Sequence, residues 1–510
     1  MAKFKKGLIS EGMELKIDFK EYFPKEDSIH VMRGIIEDLD ISAIESCYSE
    51  IGQRAYPPRI MLRIIFYGYS QGIRSGEELA KACQIDIRFI FLSEGLRPKK
   101  STINDFRRDH HKHFSELFKQ VVQKCIELEL TETDTAFHDG SKIRANASAK
   151  RGKTKKQYEK WLARLEEDIA ELSEEIKHNA SSQQDQSSDT DLSSKKKQLK
   201  QKQALAQKIS QQKDAFDDQS DEATRINLTD PDAHFMKGKK KYKDTFYNPQ
   251  LSVSVQQIIL HNDVCTSSSD KHQLIPAIEG LRYNTECMLE KMVADPGYSC
   301  FSNETYMEEE SITGFIPDQD FGKSFEDKPF HRSHFQYDPQ LDQYICPQNQ
   351  PLTFLRHKNE KGYKWRIYQG VACSSCPCRE KCTKAKARTI ARELRQPLRD
   401  QMRQRLQSDD GLELYAKRKH KVEPVFGHLK HNLGYNYFLL RGLDKVKAEF
   451  NIMCIAYNLM KIANNKVVFS IKNLVEILYR HSESTLYLLK SIFQRTFGLK
   501  RPCNYIYAFY

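Results

Sequence analysis

Three acids sit where a carboxylate could do chemistry. Asp139 follows the apolar run Ala136–Phe137 and His138 and precedes Gly140. Asp295 ends the apolar stretch "EKMVADPGY", just before a Pro-Gly turn. Glu423 is the only acid in the strongly basic "YAKRKHKVEPVFGHLK", Tyr415 to Lys430. A segment that merely grips a polyanion gains nothing from a carboxylate at its centre. Carboxylates converging from distant positions can hold Mg²⁺ or Mn²⁺ through hard oxygen ligands. Two such ions, roughly 3.5–4 Å apart, would activate an attacking oxygen and stabilise the leaving one in phosphoryl transfer. Taken singly, each acid has an ordinary alternative. Asp-Gly and Asp-Pro-Gly are turn signals, and a glutamate among lysines is an ion-paired surface residue.

On a helix, Tyr415, Lys419, Glu423, Phe426 and Lys430 fall on one face, with Arg418 beside it. Pro424 disturbs that pattern, because the residue before a proline is pushed away from helical backbone. Either the helix kinks there or a new one starts at Pro424.

The elements that must position these residues alternate in type. "TAFHDGSKIRANAS" reads as a strand with a bend or bulge at Gly140, "PQLSVSVQQIIL" has period-two alternation, and "EKMVADPGY" and "ITGFIPD" are short apolar strands. "DKHQLIPAIEGLRYNTEC" and "SNETYMEEE" between them read as helices. Such an order predicts an α/β sheet, whose strand ends gather functional side chains at one edge. Residues 1–130 read as helical, with Asp27 and Ser28 as caps, Pro57 and Pro58 at a helix start and a Ser75/Glu78 capping box. Short helices and the basic start of "RPKKSTINDFRR" suit a helix-turn-helix-like unit offering Lys99, Lys100, Arg107 and Arg108 to phosphates. The alternative is a plain helical bundle with a solvated basic rim.

Between the first two acids, Leu162, Leu165, Ile169, Leu172 and Ile176 make a heptad seam, followed by a polar link and a second periodic stretch. Residues 153–216 therefore predict an inserted helical hairpin or a dimerisation arm. Residues 326–390 look irregular, aromatic and cysteine-bearing. "AEFNIMCIAYNLMKIA" is apolar enough for a buried helix, and 466–510 reads as a helical tail.

The net charge of +12 over 510 residues favours a polyanionic partner, nucleic acid first, over a merely basic soluble protein. No run reaches the roughly 20 apolar residues of a membrane span, and the N-terminus lacks a signal-peptide core, so a cytoplasmic protein is expected. Thirteen cysteines, mostly scattered, suit reduced thiols. One cluster stands apart: Cys346, Cys373, Cys376 and Cys382 have spacing compatible with a structural Zn²⁺, the alternatives being a redox pair or a metal-free loop. The histidines of "RDHHKHF" read as solvated or near phosphates rather than as ligands.

"HDGSKIRANA", "VADPGY" and the block from Tyr415 to Ile462, with its Glu-Pro-Val-Phe-Gly core and "LRGLDKVKAEF", resemble the DDE transposases of bacterial insertion sequences. "YPPRIMLRIIFYGYSQGIRSGEELAKAC" and "STINDFRR" are similar to the DNA-binding domain that precedes the catalytic core in that family. The resemblance implies an RNase H-like catalytic domain over 131–465, holding the hairpin and the cysteine insertion, behind an N-terminal helical DNA-binding domain. It implies that Asp139, Asp295 and Glu423 hold two Mg²⁺ or Mn²⁺ ions. The family's Tyr, Arg, Glu, Lys signature maps onto Tyr415, Arg418, Glu423 and Lys430. Four residues separate Arg418 from Glu423 where that signature has three, so Arg418 and Lys419 both stand as counterparts of its arginine. The implied reaction is hydrolysis at transposon ends, then attack of the freed 3′-OH on target DNA, by a homodimer bound to terminal inverted repeats. Two other classes remain open: a non-catalytic DNA-binding regulator, and a nuclease of the same fold that cuts without joining.

Overall fold

The computed structural model describes residues 18–24, 27–49, 54–181, 188–216, 224–238, 242–360 and 362–465. The expected tail at 466–510 lies outside the described residues. The chain forms two compact units. One comprises residues up to Leu130 with Leu429–Tyr435 and the segment from Asp444 onward; the other comprises Thr131–His428 and Asn436–Leu443.

The first unit is helical: α1 (Ser28–Asp38), α2 (Pro58–Ser70), α3 (Gly76–Ile85), α4 (Lys100–Asp109) and α5 (Phe114–Glu127), joined by most of the Leu443–Ala463 helix. Local chemistry sets the starts. The Asp27 carboxylate accepts from Ile29 N–H at 2.9 Å, and the Ser75 hydroxyl accepts from Glu78 N–H at 3.1 Å. Caps of this kind are each worth about 1 kcal/mol. Pro58 occupies the first turn of α2, where a missing N–H costs nothing. Helix α2 is buried nearly all round, as is the Leu443–Ala463 helix from Ala448 to Leu459. That burial encloses a charge: Glu449, fully buried, pairs with Arg74 at 3.5 Å, and the Arg74 guanidinium lies 4.8 Å from the Tyr435 ring.

The second unit is built on a mixed seven-stranded sheet. Its backbone is β1 (Thr135–Gly140), β2 (Lys243–Val253), β3 (Ile259–Cys265), β4 (Lys291–Ala294) and β5 (Thr313–Phe315). In space the order is β3-β2-β1-β4-β5. Strand β2 is antiparallel to β1 and β3, whereas β1, β4 and β5 run parallel. Two short strands, Ile143–Arg144 and His234–Lys237, pair antiparallel with the first half of β2. The bend expected at Gly140 lies just beyond it, since Gly140 still pairs with Gln250.

The helical hairpin α6 (Lys155–Ser181) and α7 (Ser188–Asp214) packs through Tyr158, Leu165, Ile209 and Phe216, with Leu162, Ile169 and Leu205 alongside. The polar link expected between them is shorter than its composition suggested, because α7 already begins at Ser188. Helices α8 (Leu274–Thr285), α9 (Phe301–Glu309), α10 (Gln396–Gln407) and α11 (Asp409–Gly427) complete the unit, α11 lying against β1, β2 and β4.

Residues 326–390 differ from expectation. They contribute an antiparallel five-stranded sheet: β6 (Gln336–Asp338), β7 (Gln343–Ile345), β8 (Pro351–Glu360), β9 (Tyr363–Gly370) and β10 (Thr389–Glu393). Its core is a small cluster of Phe335, Tyr344, Leu352, Tyr368 and Ile390. Strand β8 is exposed on both faces from Thr353 on, so it carries none of the alternation by which a half-buried strand is recognised. Among the described residues no helix is long and apolar enough to cross a membrane.

Candidate active site

Parallel pairing of β1 with β4 sets Thr135 beside Lys291 and His138 beside Ala294. One residue further along each strand stand Asp139 and Asp295. Adjacent strands lie about 4.8 Å apart, so the two carboxylates emerge side by side at one sheet edge. Each is steadied by its own backbone: Asp139 Oδ1 accepts from Gly140 N–H and Asp295 Oδ1 from Gly297 N–H, both at 2.8 Å. Burial pushes the Asp139 carboxyl up to about 6, Arg418 pulls against it, and the neighbouring Asp295 and Asp270 add to the rise. Burial also raises Asp295, against Gly297 N–H and Arg418, with Asp270 again adding to the rise.

Asp270 is the member that sequence reasoning missed. It lies in the loop between β3 and α8, within a serine-rich stretch that reads as an ordinary connection. Its Oδ1 accepts from Asn248 Nδ2 at 2.7 Å and Gln250 Nε2 at 3.0 Å, both on β2. Gln250 is oriented in turn, its Oε1 accepting from Tyr298 OH at 2.5 Å and His138 Nε2 at 3.2 Å. His138 is held neutral by burial, its pKa lowered to about 3, and its Nδ1 meets Ser252 Oγ at 2.9 Å. A Cβ on Gly140 would come within 3.0 Å of Asp270 Oδ1 and 2.4 Å of Gln250 Nε2, so only glycine permits the approach.

Helix α11 brings the opposite charge. Arg418 Nη1 donates to Asp139 Oδ2 at 3.2 Å, and both side chains are largely buried. Tyr415, one turn earlier, shares that face and meets the Phe321 ring edge-on at 6.2 Å. The buried stripe of α11 continues through Val422, Val425 and Phe426. Lys419 and Glu423 are exposed, and about 140° of helical rotation separates Glu423 from Arg418. The expected single face is therefore split, and Arg418, not Glu423, is the residue α11 turns toward Asp139. No fresh start occurs at Pro424, since α11 runs through it. Proline cannot donate to the carbonyl four residues back. Gln257 Nε2 takes that role, donating to His420 O at 3.0 Å.

The other candidates divide by burial. Lys430 follows in a π-type turn, His428–Asn432. Lys99 and Lys100 are exposed at the start of α4, Lys100 near Glu77 at 3.4 Å. Arg108 is exposed and bonded to Asp105 and Asp109. Arg107 is not on that surface: it is 3% exposed and donates to Tyr69 OH at 2.9 Å and Arg74 O at 2.7 Å. Cys346, Cys373, Cys376 and Cys382 line one small cavity with Leu352, Gly370 and Arg388. Gln350 N–H points at Cys346 Sγ (3.4 Å) and Arg388 N–H at Cys373 Sγ (3.5 Å). No three of these sulfurs, however, lie within 4.8 Å of one another.

Asp139, Asp295 and Asp270 gather excess negative charge among hard oxygen donors, a chemistry that suits Mg²⁺ or Mn²⁺, but one oxygen from each of the three does not lie within 4.8 Å of the other two. The mixed sheet with its parallel strands is consistent with an RNase H-like core. Residues 345–463 match the family model of a transposase DDE domain, and residues 17–109 match a transposase domain (DUF772). The chain thus carries a transposase DDE domain behind an N-terminal transposase domain, which implies transposition, a phosphoryl transfer on DNA. The first match spans Glu423 and the four cysteines, whereas Asp139 and Asp295 precede it. No curated protein matches the chain.

Proposed function

We propose that this protein is an insertion-sequence transposase that binds the terminal inverted repeats of its element, cuts there and joins the freed 3′-OH to target DNA. The observation that carries this reading is the side-by-side emergence of Asp139 and Asp295 from parallel strands, with an excess of buried negative charge. In it, Asp139 and Asp295, with Asp270 beside them, hold Mg²⁺ or Mn²⁺ ions, and Glu423, which α11 leaves exposed rather than turned toward Asp139, joins them when ions and DNA are bound. Bound there, the ions supply Lewis-acid activation of the attacking oxygen and stabilisation of the leaving one.

The chain's own groups do the rest. The Asn248 and Gln250 amides hold the Asp270 carboxylate in place beside Asp139. Arg418 balances part of the carboxylate charge and, with Lys419 and Lys430, contacts phosphates near the cut. Tyr415 packs against the backbone of the bound strand. In the helical unit Lys99, Lys100 and Arg108 supply a sequence-independent grip on phosphates; Arg107 is left out because its guanidinium is spent internally. Cys346, Cys373, Cys376 and Cys382 draw together around one structural Zn²⁺, away from the chemistry. The active species is a homodimer on DNA in the cytoplasm.

A strand-transfer assay with labelled element ends tests this. Nicking with joining supports it, nicking alone identifies a nuclease, and binding alone identifies a regulator.

A further inference from the structure

The histidine run of "RDHHKHF" is divided by the fold. His110 caps the end of α4, and His113 closes the 3₁₀ turn His111–His113 before α5. His111 faces elsewhere, its Nδ1 meeting Arg108 O at 2.7 Å. Between His110 and His113 comes Cys47, from the turn after the short helix Ser42–Glu45. Cys47 Sγ lies 4.0 Å from His113 Nε2. One ligand atom from each of Cys47, His110 and His113 lies within 4.8 Å of the other two, a spacing met by no other group among the described residues. Around a tetrahedral zinc, ligand atoms stand about 3.4–3.7 Å apart, so shifts of no more than about 1.4 Å close the set.

A second observation points to a ligand. His110 is only 5% exposed, its ring packed on Phe106 at 4.7 Å and on Tyr48 at 5.5 Å. Its Nε2 meets Tyr48 OH at 3.0 Å, while its Nδ1 is buried with no partner. A buried nitrogen left so is costly. When Nε2–H donates to Tyr48, Nδ1 carries a bare lone pair that needs a proton donor or a cation. A ligating histidine characteristically spends its other ring N–H on such a partner, which fixes ring and tautomer.

We infer that Cys47, His110 and His113 form a zinc site in the N-terminal helical unit, with Tyr48 orienting His110 and the fourth position left to water. One thiolate and two imidazoles select zinc over hard cations such as Mg²⁺. The ion ties the Cys47 turn to the end of α4, the helix that carries Lys100 and Arg108. The inference does not rest on the transposase reading, and it concerns different residues from the four-cysteine cavity.

The test is metal content of the full chain, with folding checked by circular dichroism. Zinc per chain is measured for the parent, Cys47→Ser, His113→Gln and Cys376→Ser. Chelator-stripped samples are titrated with Co²⁺ and read by thiolate-to-cobalt charge transfer and tetrahedral d–d absorption. We expect Cys47→Ser and His113→Gln each to bind one zinc fewer than the parent, and Cys47→Ser to lose the charge-transfer contribution of a single thiolate, whatever happens at Cys376. Cys47 is exposed, so its serine variant folds. Parent-like zinc content and cobalt spectra in both Cys47→Ser and His113→Gln overturn the site, as does an absence of zinc from the parent. Loss of zinc in Cys376→Ser alone assigns the metal to the other cysteines and overturns it too.

Discussion

Asp139 and Asp295 stand level with each other on adjacent parallel strands, each one residue beyond the last paired rung, His138 with Ala294. Strand pairing, not side-chain attraction, brings these like charges together. Burial and mutual repulsion then raise the Asp139 carboxyl to about 6. A fold that tolerates such a cost in its metal-free state is poised for a cation.

Asp139→Asn, Asp295→Asn and Glu423→Gln should each reduce end cleavage by more than about 100-fold, since loss of a mere outer-shell partner of a metal costs 10–100-fold. Binding of end DNA, measured by mobility shift, should remain. Asp270→Asn should also impair cleavage, but by less if Asp270 only positions its neighbours. Normal cutting by any one of the first three would remove that residue from the site.

The folded-state pKa of Asp139 lies above the ordinary carboxylate range, so the folded metal-free protein binds a proton that the unfolded chain has already released. Its contribution to stability is fully present below the ordinary carboxylate pKa and is lost as pH rises through about 6. Urea unfolding of metal-free protein should show that decline, and Asp139→Asn should flatten it. A parent and variant with parallel pH profiles would contradict the buried-charge account.

Basic residues of the helical unit should separate into two kinds. Lys99→Ala and Arg108→Ala should weaken DNA binding and lower the salt slope by about 1 each, with little change in stability. Arg107→Ala should instead destabilise the unit, by about 3 kcal/mol, because Tyr69 OH and Arg74 O lose a charged donor inside the core. Denaturation and salt-dependent binding, measured on the same variants, distinguish the two kinds.

Gln257 and Pro424 should be energetically coupled through the His420 carbonyl. Gln257→Ala should cost up to about 1 kcal/mol in the parent. In a Pro424→Ala background the restored N–H takes the carbonyl, and the same change should cost almost nothing. A double-mutant cycle with no coupling would refute the substitution of one donor by the other.

Much of this was legible before any fold was known. Caps at Asp27 and Ser75 marked the helix starts, and a largely apolar stretch marked the buried Leu443–Ala463 helix, because these signals arise from interactions within a few residues; the alternation of "PQLSVSVQQIIL" marked strand but not its break, since β2 ends at Val253 and β3 runs from Ile259 through the expected turn at His261–Asp263. The sequence alone thus determined a helical N-terminal unit, an alternating α/β unit and two aspartates at strand ends. Tertiary structure decided the rest. Strand register placed Asp139 beside Asp295, the amides of Asn248 and Gln250 drew the Asp270 loop to them, helical rotation turned Arg418 inward and left Glu423 exposed, and burial took Arg107 from the surface. It also joined Cys47 to histidines more than sixty positions away. No local pattern encodes such meetings, since each depends on how distant segments pack rather than on the residues beside them.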